Sequence, residues 1–297
     1  MSQLTIFTPT YNRAFCLHKC YESLLKQSCK DFIWLIIDDG STDHTHEMVM
    51  EWMDEDLIQI QYQWQKNQGM HGAHNTAYEL IKTELNVCID SDDYMADRAV
   101  EKILRFWNKY GSEKVSGIVA LNADPEGQLI GTELPRNIRT STLFDLYEKY
   151  GVTGDKKLIY RTDLTKKYPY PIFPNEKYVG LAYKYYKLDV HYKLLTMNEV
   201  VCHVDYLPEG SSNNMLYQYL RNPHGFSFYR KELMKLPFVG KLFKFRQAIH
   251  YVSSSILTKN ISFLKETPSK VLTILALPFG FILNLYIKLK TRATSPL

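Results

Sequence analysis

Between Leu4 and Trp107, short apolar runs alternate with longer stretches whose apolar residues recur at helical spacing. Leu4–Phe7, Phe32–Ile37, Ile58–Trp64 and Asn86–Ile89 read as strands, and Phe15–Leu25, His44–Met53, Gly72–Lys82 and Asp97–Trp107 as helices. Strands that alternate with helices imply βαβ units, so an α/β fold with a Rossmann-like, mostly parallel central sheet and helices on both faces is expected. Ligands of such open sheets sit beyond the carboxyl ends of the strands. Three polar clusters fall at those ends: Thr8-Pro9-Thr10-Tyr11-Asn12, Asp38-Asp39-Gly40-Ser41 and Asp90-Ser91-Asp92-Asp93. They are distant in sequence, and this topology brings them to one edge.

Composition narrows the function. With 45% hydrophobic and 23% charged residues, the 297-residue chain can bury a sizeable core. A net charge of +4 argues against a dedicated nucleic-acid binder. The five cysteines, Cys16, Cys20, Cys29, Cys88 and Cys202, form no CxxC pair and read as reduced thiols of a cytosolic compartment. Met1–Thr8 lacks the charged and apolar regions of a signal peptide, so a cytoplasmic location is expected.

The acidic cluster carries the clearest chemistry. Mg²⁺ or Mn²⁺ prefers hard oxygen ligands and keeps waters and substrate phosphates in its shell. Asp90 and Asp92, alternate carboxylates at the mouth of a strand, can supply one or two ligands and leave the rest to a diphosphate, although a solvated acidic turn before the next helix has the same composition. Asp39 can accept a hydrogen bond from a base imide, or serve only as a turn residue in Asp-Gly-Ser. Thr8 and Tyr11 can offer that base a hydroxyl and a flat stacking face. Lys66-Asn67-Gln68-Gly69 and the small residues after it place backbone N–H groups where a strand gives way to a helix, a setting suited to a diphosphate.

Thr8-Pro9-Thr10-Tyr11-Asn12-Arg13, Ile37-Asp38-Asp39-Gly40-Ser41-Thr42-Asp43, Asn67-Gln68-Gly69 and Asp90-Ser91-Asp92-Asp93 together resemble, in order and spacing, the family 2 glycosyltransferases of the GT-A fold. The resemblance covers about the first 110 residues. It implies an inverting transfer from a nucleotide sugar, usually UDP-linked, with Mg²⁺ or Mn²⁺. It also implies a nucleotide-sugar site of Thr8, Pro9, Tyr11, Asp39, Asn67, Asp90, Ser91 and Asp92, with Asp90 and Asp92 meeting the metal. Residues 1–110 would form the nucleotide-sugar-binding half of the domain, 111–222 the acceptor-side half, and 223–297 a helical, basic and apolar extension.

The sequence departs from the family at the catalytic base. Inverting members carry a late acid at the start of a helix, and Leu181 stands at that position here. Glu176, five residues earlier, is the preferred base, with Asp155, Asp163, Asp189 and Asp205 as alternatives. The Gln-x-x-Arg-Trp motif of processive synthases is altered too, since Gln218-Tyr219-Leu220-Arg221 is followed by Asn222. Addition of a single sugar is therefore expected.

The remainder of the chain bears on location. Leu236–Phe263 interleaves aromatic and aliphatic residues with Lys and Arg, as a basic amphipathic surface helix does. Val271–Ile287 is nearly all apolar, is interrupted by Pro278 and Gly280, and is followed by Lys288 and Lys290. The expected function is transfer of one sugar to a lipid-linked glycan, as in bacterial surface polysaccharide assembly, at the cytoplasmic face of a membrane. The alternatives are a sugar-phosphate nucleotidyltransferase, disfavoured because Thr8–Arg13 contains no glycine, and a non-catalytic nucleotide-binding scaffold on a membrane surface.

Overall fold

The computed structural model describes residues 3–206 and 214–293, and the chain divides into two compact units. The first contains residues 3–68, 72–169 and 191–206; the second contains 69–71, 170–190 and 214–293. In this division the segment 170–190 groups with the carboxyl-terminal helices, and the strand that follows it returns to the sheet.

The first unit runs β1 (Leu4–Thr10), α1 (Ala14–Leu25), β2 (Phe32–Asp38), α2 (Thr45–Glu55), β3 (Ile60–Trp64), α3 (Met70–Leu80), β4 (Leu85–Cys88), β5 (Tyr94–Met95), α4 (Ala99–Tyr110), β6 (Val115–Ala123), β7 (Thr140–Ser141), α5 (Leu143–Glu148), β8 (Lys156–Arg161), α6 (Thr162–Thr165) and β9 (Lys193–His203). Among the described residues the nine strands form one sheet ordered β3-β2-β1-β4-β8-β6-β9-β5, with β7 pairing β9. β1, β2, β3 and β4 are parallel, as their alternation with helices predicts. From β4 onward the sheet is mixed, because β8 enters antiparallel to both β4 and β6. The second half combines these antiparallel pairs with the parallel β6–β9 pair.

Burial explains the strands. The side chains of β2 and β6 are almost all buried, which is why they read as continuous apolar runs without alternation. One core lies where Leu4, Ile6, Trp34 and Ile36 meet α1, α2 and α4 through Leu17, Leu24, Trp52 and Ile103. Tyr21, Trp52 and Trp34 stack there, with ring centroids 4.4 Å and 5.7 Å apart along the series. Helix α4 shows how this packing selects a helix: Ala99, Val100, Ile103, Leu104 and Trp107 are its buried face.

The second unit is helical: α7 (Ala182–Asp189), α8 (Met215–Arg221), α9 (Pro223–Lys235), α10 (Lys241–Leu257), α11 (Phe263–Glu266), α12 (Lys270–Leu275) and α13 (Leu277–Ala293). The stretch expected to be a surface helix is instead central to this unit. α10 buries Ala248, Tyr251 and Val252 in a core shared with Met234 and Ala276, and Phe245 packs partly buried against it. The apolar run after Lys270 is two helices, separated at Ala276 with Pro278 in the first turn of the second. Among the described residues, no helix is long and apolar enough to cross a membrane.

Candidate active site

The loops after β1, β2 and β3 are stitched to one another by hydrogen bonds. Asn12, at φ +53°, accepts the Thr42 N–H on its side-chain oxygen at 2.7 Å, and its own N–H donates to the Ser41 hydroxyl at 2.9 Å. Asp43 receives the Ala14 N–H at 3.1 Å and so caps α1. Asp38 is fully buried and shapes the second loop, accepting the Ser41 N–H on Oδ1 at 2.7 Å and the Tyr62 hydroxyl on Oδ2 at 2.6 Å. Gly40 lies at φ +88°, and a Cβ there would stand 3.0 Å from the Asn67 nitrogen, so only glycine lets the third loop approach this closely.

Asp39 is the fixed point of this edge. Its Oδ1 accepts the Gln65 side-chain amide at 2.7 Å and the Gln68 backbone N–H at 2.8 Å, while its own N–H donates to Thr10 O at 2.8 Å. The carboxylate is thereby held in one orientation. Tyr11, at the tip of β1, is 50% exposed and presents a ring to solvent. Pro9 sits one residue inside the strand end, in register with Ile37.

Thr8 departs from expectation. Its side chain is fully buried, and its hydroxyl accepts the Trp34 indole N–H at 2.9 Å. It anchors the core beneath the loops and does not offer a hydroxyl to a ligand. The cause is strand alternation: Thr8 shares a face with Leu4 and Ile6, which line the core.

The acidic cluster follows β4. Asp90 is exposed, Ser91 buried, Asp92 half-buried and Asp93 buried. Burial and the neighbouring Asp90 charge raise the Asp92 carboxyl above its usual range; Arg13 opposes this and Asp205 adds to it. Arg13 ends the first motif, so these couplings place the first and fourth motifs in one electrostatic neighbourhood. Burial also raises Asp93, against the pull of Lys157, whose ammonium lies 3.3 Å from it. That buried pair ties the cluster to β8. Sequence reading missed both Arg13 and Lys157: Arg13 had its place in the motif as a signal, whereas Lys157 had none.

Asp90 and Asp92, neighbouring carboxylates of which the first raises the proton affinity of the second, fit a hard divalent cation. No group of three or more His, Cys, Asp or Glu capable of holding a metal occurs among the described residues. A cation here would thus take at most two protein carboxylates, with water and diphosphate oxygens completing its shell, as Mg²⁺ sites commonly do.

Glu176 belongs to the second unit, where it has a different setting. It is 5% exposed; Oε1 accepts the His224 N–H at 2.8 Å and the His224 Nδ1 at 2.7 Å, and Oε2 accepts the Gly225 N–H at 2.7 Å. The carboxylate thus satisfies the amino end of α9. The helix that follows, α7, begins at Ala182, with Leu181 as its N-cap. Asn222, which follows the altered Gln218–Arg221 motif, accepts the Lys177 N–H at 2.6 Å and completes the same junction.

The sequence model of glycosyl transferase family 2 matches residues 5–168, more than half of the chain. The chain belongs to glycosyl transferase family 2. Among its relatives within this family, chondroitin synthase of Escherichia coli is 35% identical over 127 residues, 43% of this chain and 18% of that protein. The first curated relatives share this pattern, the chain spanning less than half of their length. The fold recurs in Staphylococcus aureus TarS, residues 1–349, solved with UDP-GlcNAc: TM-score 0.63, 19% identity, 93% of this chain and 80% of that one. It recurs also in the mannosyltransferase PcManGT of Pyrobaculum calidifontis, solved with GDP-Man and Mn²⁺: TM-score 0.55, 15% identity, 96% and 87% coverage. The family 2 assignment, these GT-A neighbours and the mixed sheet agree on the fold, and the four motifs of the sequence fall within the matched stretch.

Proposed function

We propose that this glycosyltransferase moves one sugar from a UDP-sugar to a lipid-linked glycan during assembly of a bacterial surface polysaccharide, at the cytoplasmic face of a membrane. The observation that carries the reading is the joining of the first three motif loops around Asp39, beside the Asp90–Asp92 cluster. In this account Tyr11 stacks on uracil, and the fixed Asp39 carboxylate accepts the imide N–H. Pro9, Asn67 and Ser91 shape the walls by their backbone. Asp90 and Asp92 would hold Mg²⁺ or Mn²⁺, which when bound neutralises charge on the leaving diphosphate. The acceptor hydroxyl attacks the anomeric carbon as the bond to the diphosphate breaks, which inverts the centre, and a carboxylate takes the hydroxyl proton.

The three N–H donors on Glu176 argue that it anchors α9 and is not that base. Asp205 is the better candidate. Its charge reaches Asp92, and the Lys19 ammonium holds it at 2.8 Å. Asp163, paired with Arg161 at 2.7 Å, and Asp155, which takes the Tyr206 hydroxyl at 2.7 Å, are not among the main charges that act on Asp92. The test is a screen of nucleotide sugars for release of nucleoside diphosphate, with Mn²⁺ and a polyprenyl-diphosphate-linked acceptor. UDP release that depends on acceptor, and that falls by about 10²-fold or more in Asp205→Asn, is expected. Release from UDP-sugars that is the same without acceptor would remove the transfer reading. An Asp205→Asn variant at the wild-type rate would remove Asp205 from the base role.

A further inference from the structure

The α12–α13 pair is amphipathic in the inverted sense. Its buried positions are Thr273, Ala276, Gly280, Asn284, Ile287 and Thr291, spaced three or four apart along one stripe and mostly small or polar. Large apolar side chains occupy the outside, including Val271, Ile274, Phe279, Phe281, Ile282 and Leu285, each half or more exposed, with Phe281 at 64% and Ile282 at 63%. A helix on the surface of a water-soluble protein carries the opposite arrangement. Contiguous apolar patches of this kind mark an interaction surface.

The inner stripe shows what kind of surface. Gly280 packs so close to α10 that a Cβ would meet Val252 Cγ1 at 2.5 Å. Asn284 donates its side-chain amide to Ser253 O at 3.2 Å, and Ser253 itself is buried. Small residues and a side-chain amide thus hold these helices together, as in helix pairs that face lipid, where apolar burial between helices gives no driving force. Charge completes the pattern. Between Lys241 and Lys290 the chain has eight Lys and Arg and one acidic residue, Glu266, and the exposed Lys270, Lys288 and Lys290 bracket the apolar face.

We propose that the outer face of α12–α13 is a lipid-docking surface that lies in the plane of an anionic bilayer, its apolar side chains among the upper acyl chains and its flanking lysines at the headgroups. The absence of a helix long enough to cross, among the described residues, is compatible with this in-plane placement. The assignment is independent of the donor chemistry and is tested without it.

The experiment is co-sedimentation of the full chain with phosphatidylcholine vesicles, with and without phosphatidylglycerol. Wild type is expected to bind the anionic vesicles, and added salt to weaken that binding. The triple variant Phe281→Ser, Ile282→Ser, Leu285→Ser should lose at least about tenfold in partition, with an unchanged circular dichroism spectrum. A second variant, Lys270→Glu with Lys288→Glu, leaves every apolar side chain in place and should lose the preference for phosphatidylglycerol. Wild type that stays in the supernatant with both vesicles would overturn the proposal. So would variants that bind like wild type, or a lipid-free dimer that the triple variant abolishes, which would make the face an interface between copies of the chain.

Discussion

Glu176 and His224, 48 residues apart, are joined at the amino end of α9, where one carboxylate oxygen accepts both the backbone N–H and the ring nitrogen of His224. With the Gly225 N–H on the other oxygen, this carboxylate holds the segment before α7 to the start of α9. Glu176→Gln keeps the volume but must turn an NH₂ group toward one of these donors. The variant should therefore be less stable by about 1–3 kcal/mol, as when a buried hydrogen-bonding group is left unmatched. Urea unfolding checks this. A variant with unchanged stability but about 10²-fold lower turnover would return the base role to Glu176.

Asp39→Asn probes the donor loops. Its Oδ1 meets two donors, Gln65 and Gln68, so the Asn carbonyl must face them. The NH₂ would then stand where an imide donor is expected, donor against donor. UDP binding should weaken by about 1.5–3 kcal/mol, with the melting curve nearly unchanged. Calorimetry with UDP decides it, and equal affinity would remove Asp39 from the base site.

Lys184 gives the second unit a pH dependence. It is almost fully buried on α7, its ammonium 4.9 Å from the Tyr170 ring centroid, and burial lowers its pKa from 10.5 to about 7. Between those two values the unfolded chain holds a proton that the folded chain has released, so this group makes stability rise with pH from about 7 toward 10.5 and contributes no slope below. Lys184→Met should flatten that rise and stabilise the protein at neutral pH by on the order of 2 kcal/mol. Denaturant melts at about pH 7, the lower edge of that window, and at about pH 9.5, inside it, measure both effects.

The sequence made some of these elements legible and hid others, for physical reasons. β1, β2 and β4 are parallel strands of a covered sheet, so their apolar runs stand out, and the polar clusters mark their ends. β8 starts with Lys156 and Lys157 and was not recognised as a strand. Both are buried, Lys157 against Asp93 and Lys156 through Nζ donation to Thr153 O at 2.7 Å, and such partners are invisible in a local window. The Thr8 motif position was readable, but which face its hydroxyl takes depends on Trp34, a neighbour in space. Glu176 has the same limitation, because the helix that it caps begins 47 residues later. The apolar run after Lys270 was visible, yet only packing against α10 reveals that its small residues face inward.

The central claim is a uridine diphosphate site that needs a divalent cation at Asp90 and Asp92. The direct measurement is calorimetric titration of UDP into the wild-type chain with Mn²⁺ and again in EDTA, alongside Asp92→Ala. The account predicts tight binding with Mn²⁺, a loss of about tenfold or more in EDTA, and an Asp92→Ala variant that binds UDP weakly whether or not Mn²⁺ is present. Equal UDP affinity in Mn²⁺ and in EDTA, with Asp92→Ala matching wild type, would contradict it.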